Sequence, residues 1–394
     1  MIRFVVATII LILVAACSSG PPPKAAKTKR PKARPTHVCQ LDPESTLPPT
    51  PPQLPMGDTV RMVHYNTYPF SDTFTSVQAL SDGTVYALGW RKYPKGPSAC
   101  GPHKQAVVVL RWDGTAWRPL PEFDQVVWPQ QLTATADGKV WVFGRCPRNT
   151  ARGCAAAWDG TAWTVTDFGH DWTFEVGATV TGQRIWAGSY ERIWEWDGTN
   201  SSTRKAPIPI HALAGGATDE VWIAGMTDGH PALARWNGQS WSRPPKPQIP
   251  RLYGDKQGKT EPYGLAVGDN GEVWMQARMY WICGEEESMC ARPLLLKWAA
   301  GRWTVTVMPE KSRLGHIVSD GTGGLWAIRN SKLARYFGGR WTSYKVPAGP
   351  YGGRSVMRLA RAPGQATVWA VGEDHTESEL MPFTNGIIWR LEIV

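Results

Sequence analysis

Val140-Trp141-Val142-Phe143-Gly144 is followed, about twenty residues on, by Trp158-Asp159-Gly160-Thr161-Ala162-Trp163. A branched residue and a tryptophan open an apolar run, and a Trp-Asp-Gly turn with a second tryptophan closes the phrase. It returns as Val221-Trp222 … Trp236-Asn237-Gly238-Gln239-Ser240-Trp241 and as Val273-Trp274 … Trp298 … Gly301-Arg302-Trp303. Self-similarity at about 35–55 residues marks a repeat architecture, and strand-rich repeats of that length are propeller blades.

The opening signal occurs seven times, at Val85-Tyr86, Val140-Trp141, Ile185-Trp186, Val221-Trp222, Val273-Trp274, Leu325-Trp326 and Val368-Trp369. A strand of small and branched residues precedes each, as in Leu132-Thr133-Ala134-Thr135-Ala136. The join is a hairpin turn such as Asp82-Gly83, Asp137-Gly138 or Asn270-Gly271. The third strand ends at Trp112, Trp158, Trp196, Trp236, Trp298, Tyr336 and Trp389, and the fourth carries Trp117, Trp163, Trp241, Trp303 or Trp341. The third repeat has Asn200-Ser201-Ser202 in that last place. The seventh stops after its third strand, and an orphan strand, Thr59-Val60-Arg61-Met62-Val63-His64-Tyr65, stands ahead of the first repeat. Ring closure accounts for both: the N-terminal strand completes the last blade and hides two edges. The expectation is an all-β chain, residues 59–394 forming a seven-bladed β-propeller of four-stranded blades. Its core is distributed between adjacent blades. Seventeen of the 22 Trp fall on these positions and fill the wedge between blades; Trp90, Trp128, Trp172, Trp194 and Trp281 do not.

Residues 1–16 read as an export signal: one positive charge, a short apolar core and small residues before Cys17. Leu13-Val14-Ala15-Ala16-Cys17 resembles the lipobox of bacterial lipoproteins. That resemblance implies cleavage before Cys17, lipid on its sulfur, and a protein anchored to the outer face of the cytoplasmic membrane. Residues 17–58 read as a lipid-anchored Pro/Lys-rich disordered linker, with Pro21-Pro22-Pro23 and Pro48-Pro49-Thr50-Pro51-Pro52. At about 3.1 Å per residue it reaches on the order of 100 Å. Of the net charge of +10, Arg3, Lys24, Lys27, Lys29, Arg30, Lys32 and Arg34 supply seven, leaving 10 − 7 = 3 for residues 40–394. The basic balance is a tether property, which excludes a nucleic-acid reader with its cations on a folded face.

Besides Cys17, six cysteines form an even set that suggests disulfides in an exported protein. Cys146 and Cys154 flank one short loop and Cys283 and Cys290 another, leaving Cys39 to pair with Cys100. The spacings are wrong for zinc ligand pairs, and no metal site or cofactor is expected. The tight Asp-Gly turns lie on one face of the ring. The long insertions lie on the other: 90–105, 144–154, 277–292 and 372–386 within blades, and 119–130, 166–175, 243–262 and 344–354 between them. Long loops over a rigid scaffold place the working surface there. Trp90, Trp128, Trp172 and Trp281, with Tyr93, Tyr190 and Tyr280, map to that face. They suit stacking on sugars, burial under a protein partner, or packing of the loops onto the ring. Six of eight His map there too: His103, His170, His211, His230, His316 and His375. Residues leading into the inner strands, Gln131, Glu175, His211, Tyr263, His316 and Arg354, form a polar set for the channel mouth, lining either a small-ligand site or a water-filled channel.

The Val140 to Gly144 stretch with Trp158 to Trp163 resembles a degenerate kelch repeat, its paired Gly reduced to Gly144, Gly188 or Gly225 and lost after Trp274. Asp137-Gly138-Lys139-Val140-Trp141 is similar to the regulator-type propellers of bacterial sensors. The resemblance covers residues 59–394 and implies seven blades without fixing an activity. The Tyr, His and Cys set of kelch-type copper oxidases does not align, nor does the Arg triad of sialidase-like propellers. The expectation is a monomeric, non-enzymatic binding or scaffold propeller of the cell envelope. It recognises a glycan or protein partner through its long-loop face. The alternative is an envelope hydrolase or lyase sited at the central channel mouth.

Overall fold

The computed structural model describes residues 54–55, 60–68, 73–92, 105–169, 178–181, 183–216, 219–283, 288–346, 354–375 and 384–393. The chain is all-β, with seven blades of four antiparallel strands in a ring. Strands A to D run from the axis outward. The A strands are Thr73–Ala79, Val127–Ala134, Ala178–Thr181, Ile210–Gly215, Gln257–Val267, Leu314–Ser319 and Ser355–Arg361, and each lies beside the next around the axis. The ring closes as expected. Val60–Tyr68 pairs antiparallel with Thr384–Ile393, from Val60 opposite Ile393 to Tyr68 opposite Gly386, and becomes strand D of blade 7. Leu54 and Pro55, within the stretch read as linker, pair outside it with Met62 and Arg61.

The repeated phrase has a local cause. Asp159 Oδ1 accepts the N–H groups of Thr161 and Ala162 at 2.8 and 2.9 Å, while Gly160 sits at φ 106°, a conformation that disfavours any other residue. Those N–H groups, Ala162 first, hold the Asp159 carboxyl down at about 2. Asp113, Asp197 and Asn237 make the same turn. It sets the flanking tryptophans opposite each other, as in Trp158–Trp163 at 5.5 Å and Trp236–Trp241 at 5.5 Å between ring centroids.

Seven buried clusters lie one at each blade interface. At four interfaces the strand-B Trp of one blade touches the strand-C aromatic of the next: Trp369–Trp112 at 5.9 Å, Trp141–Trp196 at 5.8 Å, Trp186–Trp236 at 5.8 Å and Trp274–Tyr336 at 5.8 Å. Each indole buried this way stabilises by roughly 2–3 kcal/mol. One assignment is corrected. Trp389 lies opposite Ala370, the position of Trp194 opposite Ala187, and Leu391 takes the place of the strand-C tryptophan. Both Trp389 and Trp194 are buried in the wedges.

Strand C also carries a cation held by a carboxylate: Arg235 by Glu220, Lys297 by Glu272 and Arg335 by Asp320, at 2.5, 2.5 and 2.8 Å. Blade 3 reverses the charges, with Arg184 on Glu195 at 3.0 Å. Lys297 and Arg235 lie over Trp274 and Trp222, 4.6 and 5.6 Å from the ring centroids. Burial alone would raise the Asp320 carboxyl, but hydrogen bonds from the Thr322 N–H, Arg335 and the Gly324 N–H outweigh it and hold it below the ordinary 3.8. A lowered folded-state value means stability present above pH 3.8 and lost as pH falls through the folded value. Asp320→Asn is expected to lower stability at neutral pH and to make its fall below about pH 4 shallower; chemical denaturation across pH reads both.

Candidate functional site

Six of the seven A strands share a feature at their long-loop ends: the pairing with strand B is broken by a bulge, whereas Ala178–Thr181 pairs with Arg184–Gly188 without a shift among the described residues. The bulge falls at Thr75, at Trp128 to Gln130, at His211, at Tyr263, at Gly315-His316 and at Met357. A bulge re-aims the extra side chain, and here three of them reach the next blade. Thr75 Oγ1 donates to the Pro129 carbonyl at 3.4 Å, and the Tyr263 hydroxyl donates to the Leu314 carbonyl at 3.1 Å. His316 Nδ1 accepts the Leu359 N–H at 3.3 Å. Desolvation, with Arg358 nearby, holds the His316 imidazole down at about 3, so the ring is neutral and Nε2 carries its proton. Burial pushes the Tyr263 phenol up to about 12, although Arg278 lies over its ring at 5.2 Å. His316 and Tyr263, expected at the channel mouth, therefore stitch blades 5, 6 and 7 together.

The blade 2 bulge does something different. Trp128 sits at φ 47° and is 52 % exposed. A bulky side chain in the left-handed region costs about 1–2 kcal/mol, and burial does not offset it here. Gly144 makes the conformation possible, because a Cβ there would meet the Trp128 and Val127 carbonyl oxygens at 2.9 Å. The Arg145 guanidinium lies 5.7 Å from the Trp128 ring centroid, and its NH1 donates to the Thr150 carbonyl at 2.9 Å. Thr150 belongs to the hairpin closed by the Cys146–Cys154 disulfide. Asp167 lies close to both sulfurs, but the disulfide consumes both thiols, so the trio offers no metal site. The product is an aromatic plate over a cation, both fixed by backbone and disulfide.

On blade 3, Tyr190 is 53 % exposed and meets the His211 ring edge-on at 5.5 Å. Lys259, paired with Glu261 at 2.5 Å, lies within the field of Tyr280 and Tyr190. Trp90, Tyr280, Gln131 and Arg354 are half-buried.

Trp281 takes the loop-packing role among those expected of it. It is 7 % exposed and stacks on Tyr253 at 4.1 Å with the rings 4° from parallel. The Tyr253 hydroxyl donates to Glu310 at 2.8 Å and accepts from Arg292 at 3.1 Å, so Trp281 pins the interblade loop rather than presenting a free face. Two insertions read as loops are extended hairpins: Val140–Cys146 with Asn149–Trp158, and Val273–Ile282 with Met289–Ala299, the latter closed by Cys283–Cys290. Trp172, Glu175, Cys17, Cys39 and Cys100 lie outside the described residues. Arg145 escaped the sequence reading; its one signal was its place after the strand-B glycine.

No protein-family model matches the chain, and no curated protein matches it. Solved structures do. U3-55K superposes with a TM-score of 0.50 at 11% identity, covering 85% of this chain and 99% of that one. The β-propeller domain of Cps50 (Swd1) from Myceliophteria thermophila gives 0.48 at 14%, covering 86% and 99%. The β-propeller domain of the Trilobed protease from Pyrococcus furiosus gives 0.46 at 9%, covering 81% and 95%. At such identities the likeness concerns the fold alone.

Proposed function

We propose that this propeller is a non-catalytic binding module of the cell envelope that recognises a glycan or protein partner through its long-loop face. Lipid on Cys17 tethers it to the outer face of the cytoplasmic membrane. It acts as a monomer on a Pro/Lys-rich linker, and its blades resemble degenerate kelch repeats. The observation that carries the reading is Trp128. A strained, exposed indole seated over Arg145 is the arrangement of a preorganised hot spot, ready to stack on a sugar ring or to be buried by a protein. Tyr190 is a second exposed aromatic read onto the long-loop face. Two local disulfides suit an oxidising compartment outside the cytoplasm.

The test is retention of fractionated envelope components by the full chain and by Trp128→Ala. A hot-spot indole is worth about 2 kcal/mol or more, so the variant should bind the retained component about thirtyfold more weakly with unchanged melting. Equal retention by both proteins would sink the assignment of the long-loop face.

A further inference from the structure

The repeat serves as its own control for a second site, on the opposite face of the ring. Strand B of blade 1 carries Tyr86 where the other six blades carry Trp. Among the described residues its ring makes no contact with the strand-C aromatic of the next blade, Trp158, of the kind made at four other interfaces. Beside Tyr86 lies a cleft of about 330 Å³ between blades 1 and 2, at the tight-turn end. Its walls include Tyr86, Arg111, Asp137 and Trp158, with Leu80 and Leu120.

Arg111 is the second departure. It lies opposite Tyr86, the place that Arg235, Lys297 and Arg335 take opposite their own tryptophans. Those three cations are each neutralised by a carboxylate. Arg111 is exposed and has no carboxylate partner among the described residues, because Thr84 stands where Glu220 and Glu272 precede strand B. Across the cleft, Thr135 and Lys139 keep Asp137 ionised against the cost of its desolvation. The Tyr86 hydroxyl has no protein partner among the described residues.

We propose that this cleft binds one acidic pyranose, a hexuronate-type sugar. Its carboxylate pairs with the Arg111 fork, and a C–H face of its ring lies on the half-buried Trp158. Its hydroxyls donate to Asp137 and exchange hydrogen bonds with Tyr86. The volume is large enough to admit one sugar ring. The Asp82 and Asp137 charges near Tyr86 disfavour a compact polyanion such as phosphate. The site shares no residue with the Trp128 surface, so the two stand or fall separately.

Equilibrium dialysis of the full chain against glucuronate, glucose and inorganic phosphate tests it. Glucuronate should bind saturably and glucose at least about tenfold more weakly, the difference expected of one charged hydrogen-bonded contact, with no phosphate uptake. Arg111→Gln, at an exposed position, should bring glucuronate to the level of glucose. Tyr86→Trp, which restores the repeat residue and fills the cleft, should abolish uptake of both sugars without lowering the melting temperature. Trp128→Ala should change neither. No saturable uptake by the parent, phosphate bound as tightly as glucuronate, or binding that survives Tyr86→Trp would each overturn the proposal.

Discussion

A chain that starts after Tyr68 should lose on the order of 5–10 kcal/mol and aggregate, because strand D of blade 7 is then missing. The eight register pairs from Val60–Ile393 to Tyr68–Gly386 are the only pairing of the outer edge of Thr384–Ile393 among the described residues. Their loss opens a row of backbone donors and acceptors beside Ile387, Ile388 and Trp389, all fully buried in the closed ring. A loss of that size equals the whole stability of many domains. A chain starting at Thr59 should stay within about 1 kcal/mol of the parent, since it keeps the closing strand. Adding the peptide 60–68 to the shorter chain should restore part of the lost signal. Urea denaturation of the two truncations decides the matter, and equal midpoints would mean that closure contributes nothing.

What could be read from the sequence was what neighbouring residues decide. The Trp-Asp-Gly turn is spelled in four or five residues, since Asp159 accepts two N–H groups within three positions and Gly160 supplies the positive φ. Blade count followed from counting the seven strand-B signals, and ring closure from the missing last strand and the orphan first one. Register did not. Ile387-Ile388-Trp389 is buried on both faces, so alternation is absent, and the pairing of Trp389 with Ala370 fixes what periodicity cannot. The bulges were illegible for a related reason. Thr75, His211, Tyr263 and Met357 share no chemistry, and what they share is a place where strand A must turn out of the ladder. Which of its roles Trp281 takes was illegible because its stacking partner Tyr253 lies in the preceding interblade loop, a contact no local pattern announces. At the candidate sites, Trp128 was visible as a tryptophan outside the repeat, but its strain and its Arg145 support are properties of the fold. Tyr86 and Ser201 stood out only as lapses in a pattern. Two clefts of the tight-turn face lie at those lapses, one beside Tyr86 and one of about 130 Å³ beside Ser201.

The strand-B glycines supply the second large effect. Gly225→Ala and Gly372→Ala should each destabilise by about 3 kcal/mol or more, the upper range of overpacking, because the obstruction is backbone. A Cβ on Gly225 would lie 1.8 Å from the Pro209 carbonyl oxygen, and one on Gly372 would lie 1.8 Å from that of Ser355. Neither glycine is there for a positive φ; each lets the chain entering strand A cross strand B at backbone contact distance before the bulge. Relief would require moving the inner strand, and with it the bulge that aims His211 or Met357. The chain contains its own control. Blade 5 carries Ala277 at the same place, opposite Pro262, where the longer strand Gln257–Val267 has an additional irregularity between Gln257 and Thr260. Ala277→Gly should therefore cost only about 1 kcal/mol, mostly through the freer unfolded chain. Urea midpoints for the three variants test the argument as a set. If Gly225→Ala and Gly372→Ala unfold no more readily than Ala277→Gly, the close crossing of strands A and B is not what these glycines are kept for.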